Sequence, residues 1–211
     1  MILVMTRLRR SEQVERNREL VLAGARRVFL DKGYAGASLE AIAEEAGFSK
    51  GVVYSQFTSK ADLFLVLLER RIAERAEENE RVAAELAGID EVTMLVGTAT
   101  AAVAAEPEWS LLVVEFRAHA ARDPELNARY AAVHARAVDG VAATLGRLHR
   151  ASGLEPAFPL RTMAELVMAF GAGIVLERVA DPTSLPAHEV TLMLANALGA
   201  APTPATRPAR G

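Results

Sequence analysis

The 211-residue chain contains no cysteine. That absence excludes a disulfide framework, a thiolate nucleophile and a cysteine-ligated zinc site. Aromatics are scarce, at 5% of residues, with a single tryptophan. Lysine is scarcer still: only Lys32, Lys50 and Lys60 occur, all within the first sixty residues, and arginine carries the positive charge elsewhere. No apolar run approaches membrane-spanning length. The opening MILVM is too short for a signal-peptide core and has no basic residues before it. A cytoplasmic location with no membrane partner is the expectation. Neither a nucleophile elbow nor a phosphate loop is present. No catalytic residue, cofactor or metal site is expected, and an enzyme has no constellation to support it. The row Glu115, His119 and Asp123 has helical spacing that could hold a metal, but it reads better as a solvated face interrupted by Pro124.

What is present is unevenly distributed. The formal charge of −3 divides into a basic head and an acidic body. Residues 1–60 hold ten Lys/Arg against seven Asp/Glu, a net +3, and residues 61–211 hold fourteen against twenty, a net −6. Such a distribution orients a molecule toward nucleic acid through its N-terminal part. The length is enough for one or two domains with a sizeable core.

Residues 33–60 read GYAGASLEAIAEEAGFSKGVVYSQFTSK. Ser38 can cap a helix whose apolar face is Leu39, Ile42, Ala43 and Ala46. Gly47 suits the left-handed conformation that stops a helix, and Phe48 can anchor the turn. Ser49 can then cap a second helix from Lys50 to about Phe57. Two short helices joined by a tight turn form a helix-turn-helix, whose second helix enters the DNA major groove. Upstream, Val21, Ala25, Val28 and Phe29 form one stripe on a helix that stops near Lys32-Gly33. Downstream, Ser59 to Asp62 has the capping-box pattern ahead of the apolar run Leu63 to Leu68.

These residues carry a family resemblance. Ala25, Phe29, Gly33-Tyr34, Ser38, Ile42-Ala43, Ala46-Gly47, Ser49-Lys50-Gly51, Tyr54, Phe57 and Lys60, without a gap, resemble the DNA-binding domain of TetR-family bacterial repressors. The rest of the chain matches only in length and helical character. The resemblance implies a three-helix DNA-binding domain at residues 1–60, a helical regulatory and dimerisation domain at 61–199, and about nine helices in all. It also implies a homodimer on a palindromic double-stranded operator, released by a small, mainly apolar effector. A constitutive DNA-binding or architectural protein is the alternative.

Ser38 and Ser49 serve as N-caps, and a phosphate could share those sites. Lys50, Val52, Val53, Ser55 and Gln56 are the candidates for the groove, with Gly51 allowing close backbone approach. Gln56 could bond an adenine edge or a phosphate, and Val52 could touch a thymine methyl. Tyr54 is either a core aromatic or, in the family-like register, an exposed phenol turned toward a phosphate. Phe57 is its core counterpart. Lys60 sits poorly for the helix dipole, which a nearby phosphate would explain. The family often has threonine-leucine at the Val52-Val53 positions and histidine or tyrosine at Gln56, departures that bear on base preference rather than fold. The segment TRLRR within residues 1–10 reads equally as a DNA-reaching arm and as a disordered tail.

The body reads as helices over about 60–86, 91–105, 109–121, 124–151, 160–179 and 187–198. A proline-rich tail at 200–211 is expected to be disordered. Met94, Trp109, Leu112, Phe116, His119, Tyr130, Met163 and Met168 are candidates for an effector pocket, although each is also an ordinary core choice, and Arg117 is a further polar candidate. The 160–179 segment is apolar on two sides, with Met163, Leu166, Val167, Phe170 and Ile174 on one and Ala169, Ala172, Gly173 and Leu176 on the other. The last helix is also broadly apolar. Two stripes need two burial partners, the core and something else. The resemblance implies that the last two helices form a four-helix bundle across a twofold axis, with Ala169, Ala172, Gly173, Leu176, Val190, Leu194 and Ala197 as the expected dimer contacts; a helix buried wholly inside the monomer is the alternative.

Overall fold

The computed structural model describes residues 10–85, 106–153 and 155–197. Among them are eight helices and no strand, an all-α architecture as expected. The helices are α1 (Arg10–Gly36), α2 (Leu39–Glu45), α3 (Lys50–Tyr54), α4 (Lys60–Glu85), α5 (Pro107–Ala120), α6 (Pro124–Ser152), α7 (Leu160–Ala180) and α8 (Ala187–Ala197). The helix expected at 91–105, Met94 within it, residues 6–9 of the TRLRR segment and the C-terminal tail lie outside the described residues. So does Leu198, the expected end of the last helix.

Local chemistry sets the boundaries. Pro107 and Pro124 open α5 and α6, where a missing N–H has no helical partner to lose. The Asp123 carboxylate accepts the N–H groups of Glu125 and Leu126 at 3.0 and 3.1 Å, capping α6. Gly153, with φ 68°, follows the end of α6. One boundary differs from expectation: α3 ends at Tyr54 rather than near Phe57. The N–H groups of Gln56 and Phe57 both point to the Val53 carbonyl at 3.0 Å, which tightens the last turn.

The chain packs as two compact units, one formed by residues up to 71 together with 112–133, the other by 72–111 with 134 onward. This division places 112–133 with the head, which the linear boundary at residue 60 did not anticipate.

In the first unit Val21, Leu22, Ala25 and Phe29 of α1 are buried with Ile42 of α2, Val53 of α3 and Leu63 and Phe64 of α4. Gly24 lets α1 and α2 approach closely: a Cβ there would stand 2.9 Å from the Cβ of Ala46 and 3.1 Å from its backbone nitrogen. The α1 helix is broken at Gly33, whose φ of 66° and ψ of 173° are non-helical. Beyond the break, the freed N–H of Tyr34 donates to the Glu115 carboxylate of α5 at 3.0 Å. The carbonyls of Tyr34, Ala35 and Ala37 all accept from the Lys60 ammonium, at 2.8, 3.1 and 3.0 Å. Burial holds that ammonium below the usual lysine pKa. Its nitrogen also lies 4.7 Å from the centre of the Tyr34 ring. Tyr34 is edge-on to Phe116 at 4.8 Å and to Phe64 at 5.6 Å, and Phe64 stacks on Phe116 at 4.3 Å. Phe29 and Tyr130 complete the cluster. Burial pushes the Tyr34 hydroxyl up to about 12.

In the second unit Val138, Leu145 and Leu148 of α6 form a core with Met163, Ala164 and Ile174 of α7 and Val190 and Leu194 of α8. This corrects the expected dimer set, because Val190 and Leu194 are inside the subunit's own core, 5% and 4% exposed. Conversely, Leu166 and Phe170, grouped by sequence with the core stripe, are 42% and 41% exposed. The outward face of α7 therefore runs Leu166, Ala169, Phe170, Gly173 and Leu176, with Ala172 half-buried beside it. On α8 the outward residues are Leu192, Met193 and Ala197.

Two substitutions and a control test this packing. Gly24→Ala should destabilise the protein by about 1–3 kcal/mol through overpacking against the Ala46 backbone, read as a lowered melting temperature. Gly140→Ala, where nothing lies within 4 Å of the added Cβ, is the control and should be neutral or stabilising. Lys60→Ala should cost about 1–2 kcal/mol, since three carbonyls lose a charged donor at a partly solvated site. A denaturant midpoint equal to wild type would dismiss that account of Lys60.

Candidate nucleic-acid interface

The helix-turn-helix is built as its residue pattern implies. The Ser38 hydroxyl accepts the N–H of Ala41 at 3.1 Å, capping α2, whose Leu39, Ile42 and Ala43 face the core. Gly47 turns the chain with φ 73°. The N–H of Phe48 bonds the Ala43 carbonyl at 2.9 Å, and the Phe48 side chain is half-buried against the turn. Ser49 occupies the N-cap position of α3, but its hydroxyl makes no capping bond. It is exposed, as are Lys50, Gly51, Tyr54 and Ser55.

The candidate reading residues divide by side-chain direction. Val53 is fully buried, so it belongs to the core and not to the groove. Val52 is half-exposed on the same helix. The Ser55 hydroxyl donates to the Val52 carbonyl at 2.8 Å. Gln56 also folds back: its side-chain amide lies 3.4 Å from the same carbonyl, and its Oε1 is buried without a partner. The amide must swing outward before it can meet a base edge. Phe57 is core, with the Arg18 guanidinium 4.7 Å above its ring. Lys60 lies at the α1 terminus with its three donors directed at carbonyls, so the structure supplies a reason for a lysine there that needs no phosphate.

Tyr54 is 49% exposed, which settles it as a surface phenol rather than a core aromatic. Its hydroxyl donates to the Glu40 carboxylate of α2 at 3.0 Å. That bond raises the Tyr54 hydroxyl above its ordinary pKa. The Lys50 ammonium stands 3.7 Å from the same carboxylate oxygen. Glu40 is held below the usual carboxylate range by its own backbone N–H, then by Tyr54 and Lys50. Neither Glu40 nor Arg18 stood out in the sequence, because both look like ordinary solvated charges. Glu40 lies in the first turn of α2, fourteen positions before Tyr54, and no sequence pattern marked it.

The candidate pocket residues fall in different units. Leu112, Phe116, His119 and Tyr130 belong with the head, where Phe116 and Tyr130 join the aromatic cluster. His119 is exposed, with its ring 5.0 Å from Tyr34. Trp109, Met163 and Met168 belong to the second unit, Met163 in the helical core and Met168 packed against it. Of the row considered for a metal, Glu115 bonds the Tyr34 N–H and Asp123 caps α6.

Known proteins agree with this geometry. Over 58 residues the chain is 45% identical to the HTH-type transcriptional activator FasR of Mycolicibacterium smegmatis, covering 28% of this chain and 26% of that protein. Over 65 residues it is 37% identical to the HTH-type transcriptional repressor AcnR of Corynebacterium diphtheriae, covering 31% and 34%. The matched stretch thus spans about a quarter to a third of these relatives' lengths. The relatives are transcriptional regulators rather than enzymes. The crystal structure of the regulator FadR from Bacillus subtilis, in complex with stearoyl-CoA, covers 85% of this chain and 96% of its own with a TM-score of 0.68 at 15% identity, a likeness of fold. Residues 21–67 match the description of bacterial regulatory proteins of the tetR family, and residues 88–201, more than half of the chain, match the C-terminal region of BetI-type transcriptional repressors. The chain belongs to the TetR family of transcriptional regulators.

Proposed function

We propose that the protein is a ligand-responsive repressor that binds a palindromic operator as a homodimer and is released by a small, mainly apolar effector. It works in the cytoplasm, without a membrane partner and without catalysis. Among the described residues no helix is long and apolar enough to cross a membrane. The observation that carries the reading is α3: the turn at Gly47 presents Ser49, Lys50, Gly51, Val52, Tyr54 and Ser55 outward while Val53 and Phe57 root the helix in the core. Phosphate contacts would come from Lys50, Tyr54 and the serines, and base contacts from Val52 and a swung-out Gln56.

Dimerisation rests on the outward apolar faces of α7 and α8. Leu176, Leu192 and Met193 are 48%, 56% and 61% exposed, far more than scattered surface apolar residues require. The small residues Ala169 and Gly173 between them permit close helix approach. Phe170→Glu or Gly173→Arg should yield a folded monomer with lost operator affinity. Leu194→Glu should instead unfold the subunit, because Leu194 is in its core. Sedimentation of the wild type as a monomer at micromolar concentration would refute this assembly.

Release by an effector needs an element that both states share. The α4 helix begins in the head and continues beyond residue 71, so a tilt along it alters the separation of two heads. Heads reading successive major grooves must sit about 34–36 Å apart, or at a multiple of the helical repeat. An effector shifts the equilibrium only by its differential affinity for the two states. The decisive experiment is a genomic footprint of the purified protein, followed by a screen of apolar small molecules against the protein–operator complex. A palindromic footprint, lost on adding one of the compounds, is the expected result. A footprint that no compound disturbs would favour a constitutive binder, and protection without sequence preference would favour an architectural protein.

A further inference from the structure

One carboxylate shares the proposed DNA face with the donors of α3. Glu40 is on α2, a different helix from the reading residues, yet it gathers two donors from α3: the Tyr54 hydroxyl at 3.0 Å and the Lys50 ammonium at 3.7 Å. All three groups are exposed, with side-chain exposures of 66% for Lys50 and 44% for Glu40. A phenol and an ammonium are also a donor pair from which proteins build DNA phosphate contacts. A carboxylate and a phosphate oxygen present the same chemistry to such donors: an anionic acceptor. In the free protein the two donors are therefore already turned toward an anion, and the anion belongs to the protein.

We propose that the Glu40 carboxylate is an internal stand-in for a DNA phosphate, competing with the duplex for Tyr54 and Lys50 and so holding down the protein's affinity for DNA of any sequence. This inference rests on the DNA-binding reading above. On binding, the carboxylate must give up both donors and then face the duplex as an unpaired negative charge. Each consequence opposes association, and neither depends on base sequence. Glu40 is thus a positioning residue acting through Tyr54 and Lys50. It restrains the electrostatic term common to all DNA, leaving discrimination to groups that touch base edges.

The test is Glu40→Gln, which keeps the shape and a hydrogen-bond acceptor but removes the charge. Binding is measured to a fluorescein-labelled duplex of arbitrary sequence and to the footprinted operator, over a series of salt concentrations. An exposed pair of this kind predicts roughly two- to fivefold tighter binding per head at low salt, on both duplexes. The slope of log affinity against log salt should steepen by about one per head. Local damage to the fold would weaken binding, so a gain of affinity separates the proposal from a merely structural role. In a Lys50→Ala, Tyr54→Phe background the Glu40 substitution should lose most of its effect. A readout without DNA accompanies these: the Tyr54 phenol, followed by NMR, should titrate at lower pH in Glu40→Gln than in wild type. Unchanged affinity and slope would overturn the proposal. So would weaker binding, which would mean that the carboxylate serves the complex. If the wild type bound neither duplex, the DNA-binding reading would fall and this inference with it, whereas a Tyr54 shift beside unchanged DNA affinity would remove the inference alone.

Discussion

The end of α1 is the constraint on which the head depends. A helix that stops inside a folded unit leaves carbonyls pointing along its axis, and each needs a donor if it is to leave water. Here the chain also reverses at once into α2, so no continuing backbone supplies those donors. The Lys60 ammonium meets three of the carbonyls, and the Glu115 carboxylate meets the N–H released by the Gly33 break. The two charges approach opposite poles of the same few peptide units. The Tyr34, Phe64 and Phe116 rings pack together beside them, and the site stays partly solvated. These bonds tie the end of α1 to the start of α4 and to α5.

The reading surface is marginal by comparison. The α3 helix has five residues and is too short to persist alone. It exists because Val53 and Phe57 anchor it and because Gly47 delivers the chain at the correct angle. Its outward side chains rest in local bonds, Ser55 and Gln56 on their own helix and Tyr54 on a neighbouring carboxylate. On the proposed function, a helix with its donors internally occupied would exchange those bonds for DNA.

Legibility in the sequence followed the range of the interactions. Caps, glycine stops and proline starts act over three or four residues, and the boundaries they set at Ser38, Gly47, Lys60 and Pro124 were readable. The helical face of Ile42 and Ala43 was readable for the same reason. Long-range matters were not. Gly24 looks like a weak helix residue until the Ala46 backbone is found against it, 22 positions along the chain. Lys60 looks like a surface cation until its carbonyls are located. On α7 periodicity revealed two apolar stripes but not which one the subunit covers itself. Leu166 and Phe170 therefore exchanged places with the expectation, as did Val190 and Leu194 on α8. Val53 was misplaced because one turn of a five-residue helix carries too few residues to define a face.

The geometry at Lys60 also bears on how the sequence is free to drift. The chain uses twenty-one arginines against three lysines. At position 60 the two are not interchangeable. Three carbonyl oxygens surround one nitrogen, and a tetrahedral ammonium can direct a proton to each. A planar guanidinium spreads its donors in a fork suited to two parallel acceptors rather than three converging ones. A lysine-to-arginine change that costs little on an exposed surface therefore carries a cost of coordination shape at this position.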